Sequence, residues 1–149
     1  AAIINLGGNV RLLGRKPDGK DWVVGIEDPA SGRSDEALQN RDTVGTVTVE
    51  GGSVVTSGTY ERCFEEDGIL YYHILDPRSG YSVESDLISV TVMGPLSEEC
   101  DILSTSCLLL GLKEGRELIE RSEGYEAVFI DEDGVISTST GANFAIVGR

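Results

Sequence analysis

The 149-residue sequence predicts one α+β domain, a largely antiparallel sheet with two helices packed on one face. Three observations carry this. Short apolar runs separated by glycine and proline turn signals fill the chain up to residue 93. A helix-period stretch follows Gly94-Pro95, and a final pair of strand-like runs closes the chain.

In order, Ile3 to Leu6 is a first apolar run, and Gly7-Gly8 ends it. Val10 to Leu13 is a second, and Lys16-Pro17-Asp18-Gly19 supplies turn chemistry before Trp22-Val23-Val24-Gly25-Ile26. Residues 28 to 42 are rich in Asp, Pro, Ser and Gly and read as an exposed loop. Thr43 to Val49 alternates Val with Thr or Gly, the pattern of a half-buried strand, and Ser53 to Gly58 continues it after Gly51-Gly52. Tyr60 to Glu66 and Ile69 to Leu75 flank Glu66-Asp67-Gly68, a hairpin signal. Asp76 to Asp86 is a loop and Leu87 to Met93 an apolar strand.

Ser97 is the expected N-cap of a first helix, with Glu98 and Glu99 in its first turn, running to about Leu110 and ending at Gly111. A second amphipathic helix is expected from about Lys113 to Arg121, with Leu118 and Ile119 inward. Tyr125 to Ile130, the Asp133-Gly134 turn and Val135 to Thr138 make a last hairpin. Asp131-Glu132-Asp133-Gly134 has the look of an EF-hand fragment, but the rest of that loop is absent and a hairpin turn accounts for it better.

Apolar residues at 40% and charged residues at 26% supply enough core material for a folded chain. Twelve Lys plus Arg against 26 Asp plus Glu give a formal charge of −14. That balance argues against non-specific binding to nucleic acid or an anionic membrane, because little would neutralise phosphates. It leaves room for a small phosphate ligand held by backbone N–H groups, local basic residues or a metal. No apolar stretch of about 18 residues occurs, so no transmembrane helix is expected. Cys63, Cys100 and Cys107 form no C-x-x-C pair, which excludes a zinc ribbon or a thioredoxin-type motif and favours free thiols. No G-x-S-x-G, P-loop or G-x-G-x-x-G is present.

Asp101, Ser104 and Thr105 sit at i, i+3 and i+4, so their oxygens share one helix face. A carboxylate and two hydroxyls are hard donors suited to Mg²⁺ or Ca²⁺. A plain polar face with Asp101 favoured by the helix dipole explains the same spacing. His73, the only histidine, is the natural general-base candidate where a strand runs into Asp76-Pro77-Arg78-Ser79-Gly80. A structural histidine beside a plain turn with an Asp76–Arg78 salt bridge is the alternative. Asn5-Leu6-Gly7-Gly8-Asn9 would let backbone approach a ligand closely. Val55-Thr56-Ser57-Gly58 offers hydroxyls and a flexible glycine, as many turns do.

Together these segments resemble the ApbE family of flavin transferases, the FAD:protein FMN transferases. The residues that carry the resemblance are Asn5-Leu6-Gly7-Gly8-Asn9, Trp22 to Pro29, Val55-Thr56-Ser57-Gly58-Thr59-Tyr60-Glu61-Arg62, His73 to Gly80, and Cys100-Asp101-Ile102-Leu103-Ser104-Thr105 with the apolar helix to Gly111. Five motifs stand in order over nearly the whole chain.

The resemblance implies Mg²⁺-dependent transfer of FMN from FAD to a threonine hydroxyl of a target protein, with release of AMP. In that picture Asp101, Ser104 and Thr105 correspond to the metal site and His73 to the base at the acceptor threonine. Ile74 falls where relatives contact the flavin nucleotide, and Gly7, Gly8, Thr56, Ser57 and Gly58 line the same cleft. Many relatives have a second Asp where this chain has Ser104, which implies a weaker or water-mediated ligand, and an Asp is common where Thr59 stands.

Relatives also carry an N-terminal half with an Asp-x-Gly-Gly-x-x-Lys-Gly motif that Asn5 to Asn9 does not match. The resemblance therefore implies that residues 1–149 are the C-terminal part of such an enzyme. Pairing with the N-terminal half, or self-association through an exposed strand edge, is expected. The acceptor implied is a membrane redox subunit, and the location is extracytoplasmic, as a membrane-anchored lipoprotein. Mg²⁺-dependent FAD pyrophosphatase activity and a non-catalytic flavin- or metal-binding module are the alternative readings.

Overall fold

The computed structural model describes residues 1–30, 42–60 and 62–147. Eleven strands and one helical span make up the described residues. The main layer is a six-stranded antiparallel sheet of β1 (Ala2–Asn5), β2 (Asn9–Leu13), β5 (Gly52–Gly58), β8 (Leu87–Gly94), β9 (Glu126–Asp131) and β10 (Ile136–Thr138), in that order. A second sheet sets β4 (Thr43–Val49) between β11 (Phe144–Ile146) and β3 (Trp22–Glu27). A separate hairpin pairs β6 (Cys63–Glu66) with β7 (Ile69–Tyr72). Helix α1 spans Ser97–Arg121.

The pleat of β5 explains the layering, because alternate residues face opposite sides. Val55 joins Val90, Val92, Phe129, Cys100, Cys107 and Leu108 in a core under α1. Val54 joins Met93, Val128 and Ile130 on the other face, packed against Trp22, Ile26 and Val47 of the second sheet. The molecule is thus helix on sheet on sheet.

The α+β class and the antiparallel sheet agree with expectation; the two separate helices do not. The expected spans Ser97 to Leu110 and Lys113 to Arg121 are one α1, kinked at Gly111. Gly111 has φ 80°, ψ 175°, which breaks the ladder locally. The helix resumes because the Asp86 carboxylate accepts a hydrogen bond from the Leu112 N–H at 2.9 Å. Ser97 is the first helical residue and not the cap: Leu96 holds the cap position without a side-chain bond. The Ser97 hydroxyl is instead 2.7 Å from Asn9 Oδ1.

Other boundaries shift by a few residues. The strand expected from Tyr60 starts at Cys63, and the one expected to reach Leu75 ends at Tyr72. β11 was not expected. Most of the loop expected over 28 to 42 lies outside the described residues; its two shoulders meet in a 2.8 Å bond from the Asp28 N–H to the Asp42 carbonyl. The cysteines are free thiols. Among the described residues no helix is long and apolar enough to cross a membrane.

Candidate functional site

Three loops and the start of α1 meet at one end of the main sheet. Between β1 and β2, Gly7 and Gly8 take φ values of 62° and 82°, a left-handed turn that glycine adopts without strain. The Leu6 N–H bonds the Asn9 carbonyl at 2.9 Å, and the Thr56 N–H bonds the Gly8 carbonyl at 2.8 Å, which ties the turn to β5. The end of β5 brings Thr56, Ser57 and Gly58. His73 follows β7 on a segment pinned from both sides. Before it, the Tyr72 N–H bonds Ser82 Oγ at 2.9 Å, and that hydroxyl bonds the Tyr72 carbonyl. After it, the Val83 N–H bonds the Ile74 carbonyl at 3.1 Å and the Asp76 N–H bonds the Tyr81 carbonyl at 2.8 Å.

These segments enclose a cavity of about 510 Å³ lined by Gly7, Thr56, Ser57, Gly58, His73, Ile74, Asp101 and Thr105, with Arg62, Leu75 and Leu109. Eight of the ten residues singled out from sequence therefore line one cavity. Gly8 lines an adjoining hollow of about 990 Å³, which shares Gly7, Thr56 and Arg62 with the first. Ser104 is fully buried behind the wall. Arg62, Leu75 and Leu109 were not anticipated. A basic residue just beyond Val55-Thr56-Ser57-Gly58 in so acidic a chain was the available signal for Arg62.

The wall has a defined hydrogen-bond order. Ser57 Oγ lies 2.7 Å from Ser104 Oγ and 3.2 Å from Thr105 Oγ1. Ser104 Oγ donates to the Asp101 carbonyl at 3.1 Å. Thr56 points to the opposite face of β5, where its hydroxyl is 2.8 Å from that of Thr91. Ile74 is buried and supplies an apolar floor, while His73 is exposed. The turn beyond His73 is closed by Asp76. Its carboxylate accepts from the Arg78 guanidinium at 2.9 Å and from the Arg78 N–H, and these bonds hold the carboxyl below the usual carboxylate range. Arg78 is exposed at 84% and does not line the cavity, so this pair serves the turn.

Among the described residues, no three His, Cys, Asp or Glu side chains cluster as a metal cage. The cavity instead offers the exposed Asp101 carboxylate, which makes no ion pair among the described residues, and the Thr105 hydroxyl. Two hard oxygen donors beside open space suit Mg²⁺, which keeps most of its shell for water and phosphate oxygens.

The profile of the ApbE family matches residues 1–129. The FAD:protein FMN transferase of Klebsiella pneumoniae is 42% identical over 139 residues, covering 93% of this chain and 40% of that protein. The protein of the same name from Treponema pallidum is 38% identical over 149 residues, covering 95% and 39%. The crystal structure of the ApbE protein from Thermotoga maritima superposes with a TM-score of 0.77 at 33% identity, over 93% of this chain and 42% of that one. The flavinyl transferase ApbE of Pseudomonas stutzeri gives 0.67 at 35% identity, over 93% and 41%. The chain spans about 40% of the length of the curated relatives it matches.

Proposed function

The chain belongs to the ApbE family, and from that premise we propose that its protein transfers FMN from FAD to a threonine hydroxyl of a target protein, releasing AMP in a Mg²⁺-dependent reaction. The observation that carries this is the convergence of Asp101, Thr105, His73, Gly7 and the Thr56–Gly58 segment on one cavity.

Each residue has a physical role in that reading. Asp101 and Thr105 would hold Mg²⁺ by hard oxygens. When bound, the ion would supply neutralisation of diphosphate charge. The Gly7–Gly8 turn brings backbone close to the nucleotide without side-chain obstruction. Arg62, which lines both hollows, faces the diphosphate charge in this reading. Ile74 packs against the flavin nucleotide. His73, exposed at the rim, accepts the acceptor hydroxyl's proton on an imidazole nitrogen. The threonine oxygen then bonds the FMN phosphorus, and the bridging oxygen leaves with AMP. In this reading Ser104, buried and in contact with Ser57 and the Asp101 carbonyl, supports the wall in place of the ligand role the resemblance implies. The acceptor is a membrane redox subunit and the reaction is extracytoplasmic.

The test is FMN transfer to an acceptor protein by the intact protein with FAD and Mg²⁺, read by intact mass. His73→Ala is expected to lower the rate by about 10²–10⁴. An unchanged rate would remove His73 as the base. AMP release with no mass gain on the acceptor would replace transfer by FAD hydrolysis.

A further inference from the structure

With its three contacts all made as hydrogen bonds, the hydroxyl cluster at the cavity wall has one consistent proton order. The Asp101 carbonyl can only accept, so Ser104 must give it its single hydroxyl proton across the 3.1 Å contact. Ser104 is then an acceptor toward Ser57, so the 2.7 Å contact requires Ser57 to donate. With its proton spent, Ser57 accepts across the 3.2 Å contact, and the donor there is Thr105. The chain runs one way: Thr105 to Ser57 to Ser104 to the Asp101 carbonyl.

The direction matters because Thr105 lines the cavity and Ser104 does not. A free threonine hydroxyl rotates and donates or accepts to suit its neighbour. Here its proton is turned into the wall, so Thr105 presents only lone pairs to the cavity. Beside the Asp101 carboxylate, that makes the α1 side of the cavity an all-acceptor surface, which attracts a cation, while the cationic Arg62 comes to the lining from outside that helix. Ser104 has no exposed surface, so solvent cannot easily exchange into the middle of the chain.

We propose that Ser57 and Ser104 form a one-way hydroxyl relay that fixes Thr105 as an acceptor toward the cavity, making both serines positioning residues for cation binding. This rests on the reading of Asp101 and Thr105 as the cation's ligands. Neither serine touches the ion; each acts through Thr105, as outer-shell partners of ligands do.

The experiment measures Mn²⁺ affinity of the intact protein by electron paramagnetic resonance, with Mg²⁺ competition and no nucleotide, alongside the melting temperature. Ser57→Ala leaves the Thr105 proton without its acceptor and is expected to weaken Mn²⁺ by about tenfold, the lower end of outer-shell effects. Ser104→Ala frees Ser57 to donate to Thr105, reversing the chain, and is expected to act in the same direction should Ser57→Ala fold poorly. Ser57→Thr keeps a hydroxyl and is expected to restore affinity to within a few-fold. Unchanged Mn²⁺ affinity in both alanine variants, with Asp101→Asn losing it, overturns the relay and spares the cation site. Unchanged affinity in Asp101→Asn overturns the relay and the cation reading together.

Discussion

Helix α1 meets the main sheet in two different ways. Along most of its length the contact is dry: Cys100, Cys107, Leu108 and Ile119 recur at helical spacing and press on Val55, Val90, Val92 and Phe129. At Ser104 and Thr105 the same helix turns hydroxyls toward Ser57 of the same strand. The dry contact leaves no polar group to satisfy and draws its stability from buried area. The hydroxyl contact satisfies its own groups, and the neighbouring Asp101 carboxylate stays exposed at the cavity. One helix therefore anchors the fold with one stretch and shapes the site with another, so stability and binding are separable by mutation.

The largest effect belongs to the dry contact. Phe129 is fully buried, and Phe129→Ala is expected to cost about 3–5 kcal/mol in urea unfolding through lost transfer energy and a residual cavity. Mn²⁺ affinity of the molecules that remain folded should not change; a parallel loss would break the separation. The same contact carries a pH dependence. Burial pushes the Cys100 and Cys107 thiols from an ordinary value near 9 up to about 12. These raised values leave stability intact below about pH 9. As pH climbs towards 12, the unfolded chain releases the protons while the folded one holds them, so stability is lost. The urea midpoint should fall across that window, and less steeply in Cys107→Ala.

Arg62→Ala tests the cavity end. Removing the cation shared by the two hollows should weaken FAD by about tenfold, the scale of one charged hydrogen bond, as read by flavin fluorescence, with an unchanged melting temperature. Gly111→Ala sharpens the boundary between helix segments. A side chain at φ 80° is strained, and its Cβ would lie 2.8 Å from Asp86 Oδ1. A loss of about 1 kcal/mol is expected, visible as a lower urea midpoint.

The strands of this fold were legible because apolar periodicity and glycine turns are local signals. Phe144–Ile146 was not, since three residues carry no period, and it is a strand only because β4 lies beside it. The helix kink was half legible. Gly111 marks the break, but the continuation depends on Asp86, which is distant in sequence and caps Leu112 from a loop. The Ser97 expectation failed for a similar reason, since a tertiary partner, Asn9, takes the hydroxyl. At the site, the spacing of Asp101, Ser104 and Thr105 predicted three oxygens on one helix side, and Asp101 and Thr105 line the cavity while Ser104 does not. The spacing could not say which of them the sheet would bury, and β5 buries Ser104. Arg62 stood within a recognised motif with only its charge in an acidic chain as a signal, and the fold is what brings it to the cavity lining.

The proposed binding of FAD and Mg²⁺ at this end of the sheet can be measured by hydrogen–deuterium exchange of the intact protein with and without both ligands. Slowed exchange is expected at Gly7–Gly8, at Thr56 to Gly58, at His73 to Leu75 and over the first turns of α1, with β9 and β10 unchanged. Slowed exchange confined to other segments, or none at these four, would contradict the proposed binding.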